Sequence, residues 1–472
     1  MNLTKNQVLA ELCRRSFYRF VQEFWYIVVP EDPVYNWHIE YLCNELQYLN
    51  SFVVRREPKP YDLIINVPPG STKSTIVSQM YTAWVWTIDP KQRHISSSYS
   101  QTLSLGHSIK TRDIVTSDKY RRLFPEIKLK EDQSSKSDFW NNFGGERFTT
   151  STGSAVTGVH AHQQLVDDPI NPQQASSEVE RKAAEEHVLR TLSTRKVNKL
   201  LTPLVLVMQR LHEADPTGLL LVKQGKRIKH ICLPATADKR VIPASLRANY
   251  IDGLLDPIRL NRQALTEAKL DLGSFGYAGQ FDQDPAPSEG GIFKKEYFKV
   301  VQWKPEYDTL TWNFVADTAY TSDDENDPSG IWCYTKYKND FIVRSARTFY
   351  LEFPELCKKM VSFTHEHGYT KNSLIEVEPK ASGKSLVQTL KRTTQLNVKE
   401  GKPPARDKIA RANDVSPVVE SGRVLFIEGL WNKEAIDQLS TFPNAAHDEH
   451  VDCLTMMIGD TRPNRKKLKR VN

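Results

Sequence analysis

The sequence predicts an α/β protein with a mostly parallel sheet in its N-terminal half and a second α/β domain after it. Three observations predict this. The chain has 472 residues, which suggests two or three domains. Short apolar runs, YDLIINV, HISSSYS, QQLVDD and PLVLVMQ, alternate with helical segments, as βαβ units do. Beyond Pro234 the pattern turns irregular and rich in Asp, Gly and Pro. A new series then begins: LTWNFVADTAY, GIWCYTKY, DFIVRSARTFY and SLIEVEP, followed by a helical region.

The elements follow in order. Residues 12–30, LCRRSFYRFVQEFWYIVVP, carry apolar side chains at helical spacing and stop at a proline. NWHIEYLCNELQYL reads as a second amphipathic helix. YDLIINV is a strand broken by Pro68-Pro69-Gly70, and STIVSQMYTAWVWTI resumes as a helix. The expected division is 1–240 for the first domain, 241–292 for a connecting region that includes DPAPSEGG, 293–460 for the second domain and 461–472 for a basic tail.

Composition narrows the function classes. No run of about 18 apolar residues is present, so a membrane span is not expected. MNLTKNQVLAELCRR contains an acid and no long apolar core, unlike a signal peptide. The six cysteines form no C-x-x-C pair, so neither a zinc site nor a disulfide framework is indicated. A net charge of +7 suits a polyanionic partner, and equally an ordinary basic enzyme.

The stretch NVPPGSTKST nearly matches the phosphate-loop pattern G-x-x-x-x-G-K-[ST]. Lys73 and Ser74 hold the lysine and hydroxyl places, while Val67 and Thr72 replace the two glycines. In such a loop backbone N–H groups cradle phosphates, the lysine reaches the terminal phosphates and the hydroxyl binds magnesium. The expected nucleotide contacts are Pro69, Gly70, Ser71, Thr72, Lys73, Ser74 and Thr75. Thr72 is expected to donate its N–H provided that its backbone avoids positive φ. Asp167 and Asp168 end the strand QLVDD, where one acid can hold magnesium and the next can orient water. Gln209 and Arg210 end PLVLVMQR, a place for a group that senses the γ-phosphate. A Lys-Ser-Thr after a strand is commonplace, and Asp-Asp before proline is an ordinary turn. Their occurrence in order, each at a strand end, favours a nucleotide site.

A second constellation is carboxylic. Asp317 lies within an apolar strand, a costly place for an unpaired acid. Glu376 and Glu378 alternate on one strand face, and Asp448 and Asp452 share a helix face beside Glu449. Oxygen ligands clustered in this way suit a two-metal Mg²⁺ or Mn²⁺ site for phosphodiester cleavage. The plainer reading is that Asp448 and Glu449 merely favour a helix N-terminus and Asp317 a turn.

These segments, with FVQEFWYIVVP, WHIEYL, SSYSQTLSLGHSIKTRDIV, GSAVTGVHAHQQLVDDPI, VMQRLHEADPTG, FGYAGQFDQDPAPSEGGIF, IEVEPKASGKSL and HDEHVD, resemble the large terminase subunit of tailed bacteriophages from residue 15 to residue 460. The resemblance implies an N-terminal P-loop ATPase domain that drives double-stranded viral DNA into a procapsid. It also implies a C-terminal RNase H-like nuclease that cuts concatemeric DNA. ATP and Mg²⁺ (or Mn²⁺) would be the cofactors. The implied partners are DNA, the portal protein, the small terminase subunit and further copies of the chain in a ring, with no membrane. The implied location is the host cytoplasm, with no retention in the mature virion. Residue by residue, Lys73, Ser74, Asp167 and the catalytic acid Asp168 match the ATPase motifs, and Gln209 and Arg210 the coupling motif. Trp37 and His38 fall where the family contacts or flanks adenine, and Arg112 is a candidate arginine finger. Asp317, Glu378 and Asp448 match the catalytic metal ligands, with Asp452 or Glu449 replacing or assisting Asp448. Glu378 is preferred to Glu376 because it opens the E-x-K-A-x-G stretch.

The sequence departs from the family pattern in places. The acid at Asp168 is often Glu, which makes Glu178 and Glu180 alternatives, and His162, Gln163 and Gln164 are polar for a buried strand. Two other readings compete. A helicase-like ATPase would need a second ATPase lobe, and a degenerate ATPase serving as a scaffold would bind nucleotide without turning it over.

Overall fold

In a computed structural model the chain folds into two compact units, residues 1–269 with 275–286 and residues 270–274 with 287–472. The structure describes residues 4–285, 291–318, 328–404, 406–443 and 447–459. Most of DPAPSEGG, the acidic run TSDDEND and the basic tail 461–472 lie outside the described residues.

The first unit holds β1 (Asp62–Asn66), β2 (His94–Ser98), β3 (Leu129–Ser134), β4 (Asp138–Asn141), β5 (Glu146–Ser151), β6 (Gln163–Asp167), β7 (Leu204–Met208) and β8 (Ile228–Cys232). They form one sheet in the order β3-β4-β5-β2-β6-β7-β1-β8. From β5 to β8 every pairing is parallel, and β3 and β4 add an antiparallel edge. All residues of β1, β2, β6 and β7 are buried, because helices cover both faces of the parallel core.

Residues 12–30 make parts of two helices, Lys5–Arg15 and Phe17–Val28, rather than one. Ser16 causes the break: it is extended at φ −137°, and its hydroxyl caps the second helix by accepting from Arg19 N. The helix after the phosphate loop also differs from a plain α-helix. It opens as a π-helical turn over Thr75–Met80 before continuing as α over Tyr81–Trp86. Residues 241–269, expected in a connecting region, are built into the first unit. Asn36 Nδ2 donates to Leu255 O at 2.6 Å and Arg259 Nη2 to Val34 O at 2.8 Å, so this segment is fastened to the N-terminal helices.

The polar stretch of β6 is satisfied. Gln163 Nε2 donates to Asn50 Oδ1 and Gln92 Oε1, each at 2.8 Å, while its Oε1 accepts from the Tyr81 hydroxyl at 2.9 Å. Gln164 Nε2 donates to Leu192 O at 2.6 Å. Buried amides cost little once paired, and much once a partner is removed.

The second unit holds β9 (Lys299–Val301), β10 (Asn313–Asp317), β11 (Ser329–Tyr337), β12 (Asp340–Phe349), β13 (Ile375–Val377), β14 (Val398–Glu400) and β15 (Val424–Ile427), in the order β14-β13-β10-β11-β12-β15-β9. β10, β11 and β12 form an antiparallel meander, and β13 and β14 join beside β10 in parallel. Side chains alternate between two cores. Val315, Trp332 and Val343 pack with Cys453, Leu454 and Met457 on one face. Phe314, Ala316, Ile331 and Ile342 pack with Leu356, Met360 and Leu386 on the other. The central strand thus ends, at Asp317, with helices on both sides.

Replacing Gln163 by Leu strands Gln92 Oε1 in the core and takes one of two hydrogen bonds each from the Tyr81 hydroxyl and Asn50 Oδ1, which keep Leu46 O and Gln92 Nε2. The expected loss is roughly 1–3 kcal/mol of unfolding free energy, read by urea denaturation.

Candidate functional site

Two groups of buried polar side chains stand at strand ends, one in each unit. In the first, the loop after β1 wraps a cavity of about 600 Å³. Pro69, Gly70, Thr72, Lys73, Ser74 and Thr75 line it with Asp168 and Gln209. Lys73 is 6 % exposed, and its Nζ donates to Asp168 Oδ1 at 3.0 Å and to Gln209 Oε1 at 2.6 Å. Burial pushes the Asp168 carboxyl up to about 6, against the pull of the Lys73 ammonium.

The loop keeps its bend without its glycines. Gly70 lies at φ 78° and Thr72 at φ 68°. The condition on Thr72 is therefore not met: a β-branched residue occupies the left-handed region, where only the second glycine of the motif would be unstrained. Asp168 is also left-handed, at φ 44°. Two strained residues on opposite sides of one lysine mark a place where the surrounding fold dictates backbone shape.

Asp167 lies behind the loop, 1 % exposed. Its Oδ2 accepts from the Ser78 hydroxyl at 2.7 Å and stands 3.5 Å from His107 Nε2. Its Oδ1 is buried with no hydrogen-bond partner. Asp167 stands behind the cavity lining, in which Ser74 takes part, and its unpartnered carboxylate oxygen is the type of donor that a magnesium ion takes.

Other expected nucleotide contacts stand elsewhere. Ser71 is 1 % exposed and turns inward, its hydroxyl donating to Pro68 O at 2.7 Å. Trp37 and His38 do not line the cavity. His38 braces the loop from behind, with Nε2 3.0 Å from Ser71 O and Nδ1 2.6 Å from Asn36 Nδ2. Trp37 packs on Tyr250 at 5.6 Å. Trp25, Val29 and Arg259 form the opposite wall, and residue patterns had pointed to none of them. Arg210 turns away to pair with Asp215 at 2.9 Å. Arg112 lines a separate basic cavity with Arg121, Lys128 and Lys130. Glu178 pairs with Lys182 at 2.6 Å, and Glu180 accepts from Gln174 at 3.1 Å, both outside the cavity lining.

In the second unit Asp317, Glu378 and Asp452 converge, with carboxylate oxygens within 4.8 Å of one another. They are 4 %, 2 % and 0 % exposed. Asp317 ends β10, Glu378 follows the parallel neighbour β13, and Asp452 projects from the helix Glu449–Gly459. Two glycines permit the approach. A Cβ on Gly330, the partner of Asp317 across the sheet, would stand 3.0 Å from Glu449 Cβ, so a larger residue would push the helix off. A Cβ on Gly383 would lie 2.0 Å from Glu378 O.

Cations surround the trio. Lys380 Nζ stands 3.0 Å from Asp317 Oδ1, 2.6 Å from Glu378 Oε2 and 3.8 Å from Asp452 Oδ2. Lys408 and Arg411 approach Asp452 at 2.6 Å and 2.8 Å. Burial, and then the neighbouring Glu378, drive the Asp317 carboxyl well above the usual range. Burial acts on Asp452 in the same sense, but Lys408, Arg411 and Lys380 together hold it below that range. Both oxygens of Glu378 and both of Asp452 are buried without a hydrogen bond of good geometry, despite those charge contacts. Orphaned carboxylate oxygens converging from three elements fit hard divalent cations such as Mg²⁺ or Mn²⁺.

Of the expected ligands Asp448 and Asp452, the structure brings Asp452 and not Asp448 into the cluster with Asp317 and Glu378. The helix begins one residue later, so Asp448 sits before its first turn, partly exposed and paired with Lys408, while Asp452 faces β10. Glu449 is buried beside the trio but accepts from Gln438 Nε2 at 3.1 Å. Glu376 pairs with Lys399 at 2.9 Å.

The first unit is thus an α/β fold with a mostly parallel sheet and a loop of phosphate-loop shape after β1, and the second is a mixed α/β sheet with helices on both faces. Residues 316–458 match the family model of the Terminase RNaseH-like domain, and this bears out the resemblance to large terminase subunits. No curated protein matches the chain. Among solved structures, the large terminase of a thermophilic bacteriophage is similar at 13 % identity and a TM-score of 0.46, over 87 % of this chain and 98 % of that one. The HK97 bacteriophage large terminase is similar at 11 % identity and 0.37, over 95 % and 99 %. The human cytomegalovirus terminase nuclease domain is similar at 16 % identity and 0.29, over 36 % and 93 %. Among the described residues no helix is long and apolar enough to cross a membrane.

Burial of His38 lowers its pKa to about 4, whereas an unfolded histidine titrates near 6.5. The unfolded chain therefore binds more protons between those values, and stability falls as pH drops through that window, by up to about 1.4 kcal/mol per pH unit. Unfolding free energies measured from pH 7 to pH 4.5 are expected to decline, and less steeply in His38→Gln.

Proposed function

We propose that this chain is a viral DNA-packaging motor that hydrolyses ATP to move double-stranded DNA into a procapsid and cuts concatemeric DNA at a separate metal-dependent site. The observation that carries this reading is the buried convergence of Asp317, Glu378 and Asp452 in the region that matches the terminase nuclease family. Support for the ATPase half comes from the Lys73–Asp168–Gln209 cluster at a strained phosphate loop.

In the first unit, Lys73 would exchange Asp168 and Gln209 for the terminal phosphates of ATP. Asp168, released from the ammonium, would orient the attacking water, and Gln209 would sense the γ-phosphate. Asp167 and Ser74 would hold magnesium. Loop N–H groups from Gly70 to Thr75 would cradle the phosphates.

In the second unit, Asp317, Glu378 and Asp452 would hold Mg²⁺ or Mn²⁺, which when bound activates water and stabilises the leaving oxygen of a phosphodiester. Lys380 would be displaced from between the carboxylates and placed beside the scissile phosphate. DNA contacts would be mainly to phosphates, so movement along DNA would not depend on sequence. The reading calls for a portal protein, a small terminase subunit and a ring of copies as partners, acting in the host cytoplasm.

Plasmid cleavage in Mg²⁺ or Mn²⁺, with ATP turnover on the same samples, tests this. Asp317→Asn and Asp452→Asn are expected to lose cutting by at least about 100-fold and to keep ATP turnover. Asp448→Asn should keep most cutting. Lys73→Ala should lose turnover and keep cutting. An Asp452→Asn protein that cuts normally, or nucleotide binding without turnover under every partner condition, would contradict the reading.

A further inference from the structure

We propose that Ser78 and Arg147 are positioning residues for Asp167, the carboxylate assigned above to magnesium at the phosphate loop. This rests on the ATPase reading. The motif supplies one hydroxyl, Ser74, yet the hydroxyl that touches Asp167 is Ser78, one turn further on.

Ser78 reaches that place because the helix opens as a π-helical turn over Thr75–Met80. A π turn inserts an extra residue, displaces the carbonyls that an α-helix would stack, and recurs at functional sites. Here the displaced carbonyls are met by side chains. Arg147 Nη2 donates to Ser78 O at 2.7 Å, and the Thr111 hydroxyl donates to Gln79 O at 2.8 Å.

Arg147 is the unusual member. It lies on β5, is fully buried, and has no carboxylate partner among the described residues. Its other donors reach the Thr82 hydroxyl at 2.9 Å and the Ser96 hydroxyl at 3.1 Å. A buried cation without a counter-ion is costly, and hydrophobic packing would fill the same space more cheaply. What the guanidinium supplies is a three-way tie: the widened turn to β2 through Ser96, and to the following helix through Thr82. The turn then holds the Ser78 hydroxyl against Asp167 Oδ2, which leaves Oδ1 unbonded for a cation. Second partners of this kind orient metal ligands, and their loss commonly weakens metal affinity by 10–100-fold.

The test uses the full chain, with the Mn²⁺ binding that appears only when ADP is added followed by electron paramagnetic resonance, so that the carboxylate trio of the second unit does not contribute. Ser78→Ala is expected to weaken Mn²⁺ binding by about 10-fold or more. Metal-free ADP affinity and DNA cutting should stay at wild-type levels. Ser78→Thr, which restores a hydroxyl, should recover Mn²⁺ binding, and Arg147→Met should weaken it as Ser78→Ala does. If Arg147→Met does not fold, the two Ser78 variants decide. Wild-type Mn²⁺ affinity in Ser78→Ala overturns the proposal and leaves the ATPase reading intact. A wild-type protein that binds no ADP overturns the ATPase reading and this proposal with it.

Discussion

The second unit is organised around the difficulty of burying three carboxylates in one place. Asp317, Glu378 and Asp452 would repel one another and lose hydration, and none has enough hydrogen bonds to offset that. The chain answers with Lys380, Lys408 and Arg411, all within ion-pair distance of the trio. Such an arrangement is a poor source of stability, since apolar side chains would pack there at less cost. Its persistence is intelligible if a divalent cation takes over part of the compensation. The surrounding architecture follows from that demand: Gly330 lets the helix Glu449–Gly459 come close, Gly383 lets the next helix abut Glu378, and parallel pairing of β13 with β10 aligns the two strand ends.

The first unit meets the converse demand. It must hold a lysine in a buried pocket until phosphate arrives, and Asp168 and Gln209 serve as the interim acceptors. The strain at Thr72 and Asp168 belongs to the same arrangement. Each is forced into left-handed backbone so that Lys73 is flanked from both sides. The loop therefore resembles a phosphate loop in shape even where its sequence has lost the glycines that make the shape easy.

Much of this was legible in the sequence, for physical reasons. Alternating apolar runs marked β1, β2, β6, β7 and the meander β10 to β12, because buried strands of a covered sheet have few polar positions to confuse the pattern. Asp317 stood out as an acid among apolar neighbours, and Glu378 through its stretch to Gly383. What stayed hidden depended on tertiary contact. Sequence spacing places Asp448 and Asp452 on one helix face, and only the start of that helix at Glu449 and its packing on Gly330 bring Asp452, not Asp448, to Asp317 and Glu378. Arg259 reaches the cavity from a segment with no motif, and Trp25 from FVQEFWYIVVP, where no site role was expected of it. Ser16 splits an apolar run that periodicity alone would join, though a serine ahead of a helical stretch is a cap signal. The π-helical turn left no mark in the sequence.

The central claim is that Asp317, Glu378 and Asp452 form one divalent-cation site. The most direct test is a crystal of the protein soaked in Mn²⁺ and measured at the manganese absorption edge. The account predicts anomalous peaks bonded to oxygens of those three residues, with the Lys380 ammonium moved out from between Asp317 and Glu378 and Asp448 not coordinated. Peaks on Asp448 and Glu449 instead, or no manganese at the end of β10, would contradict it.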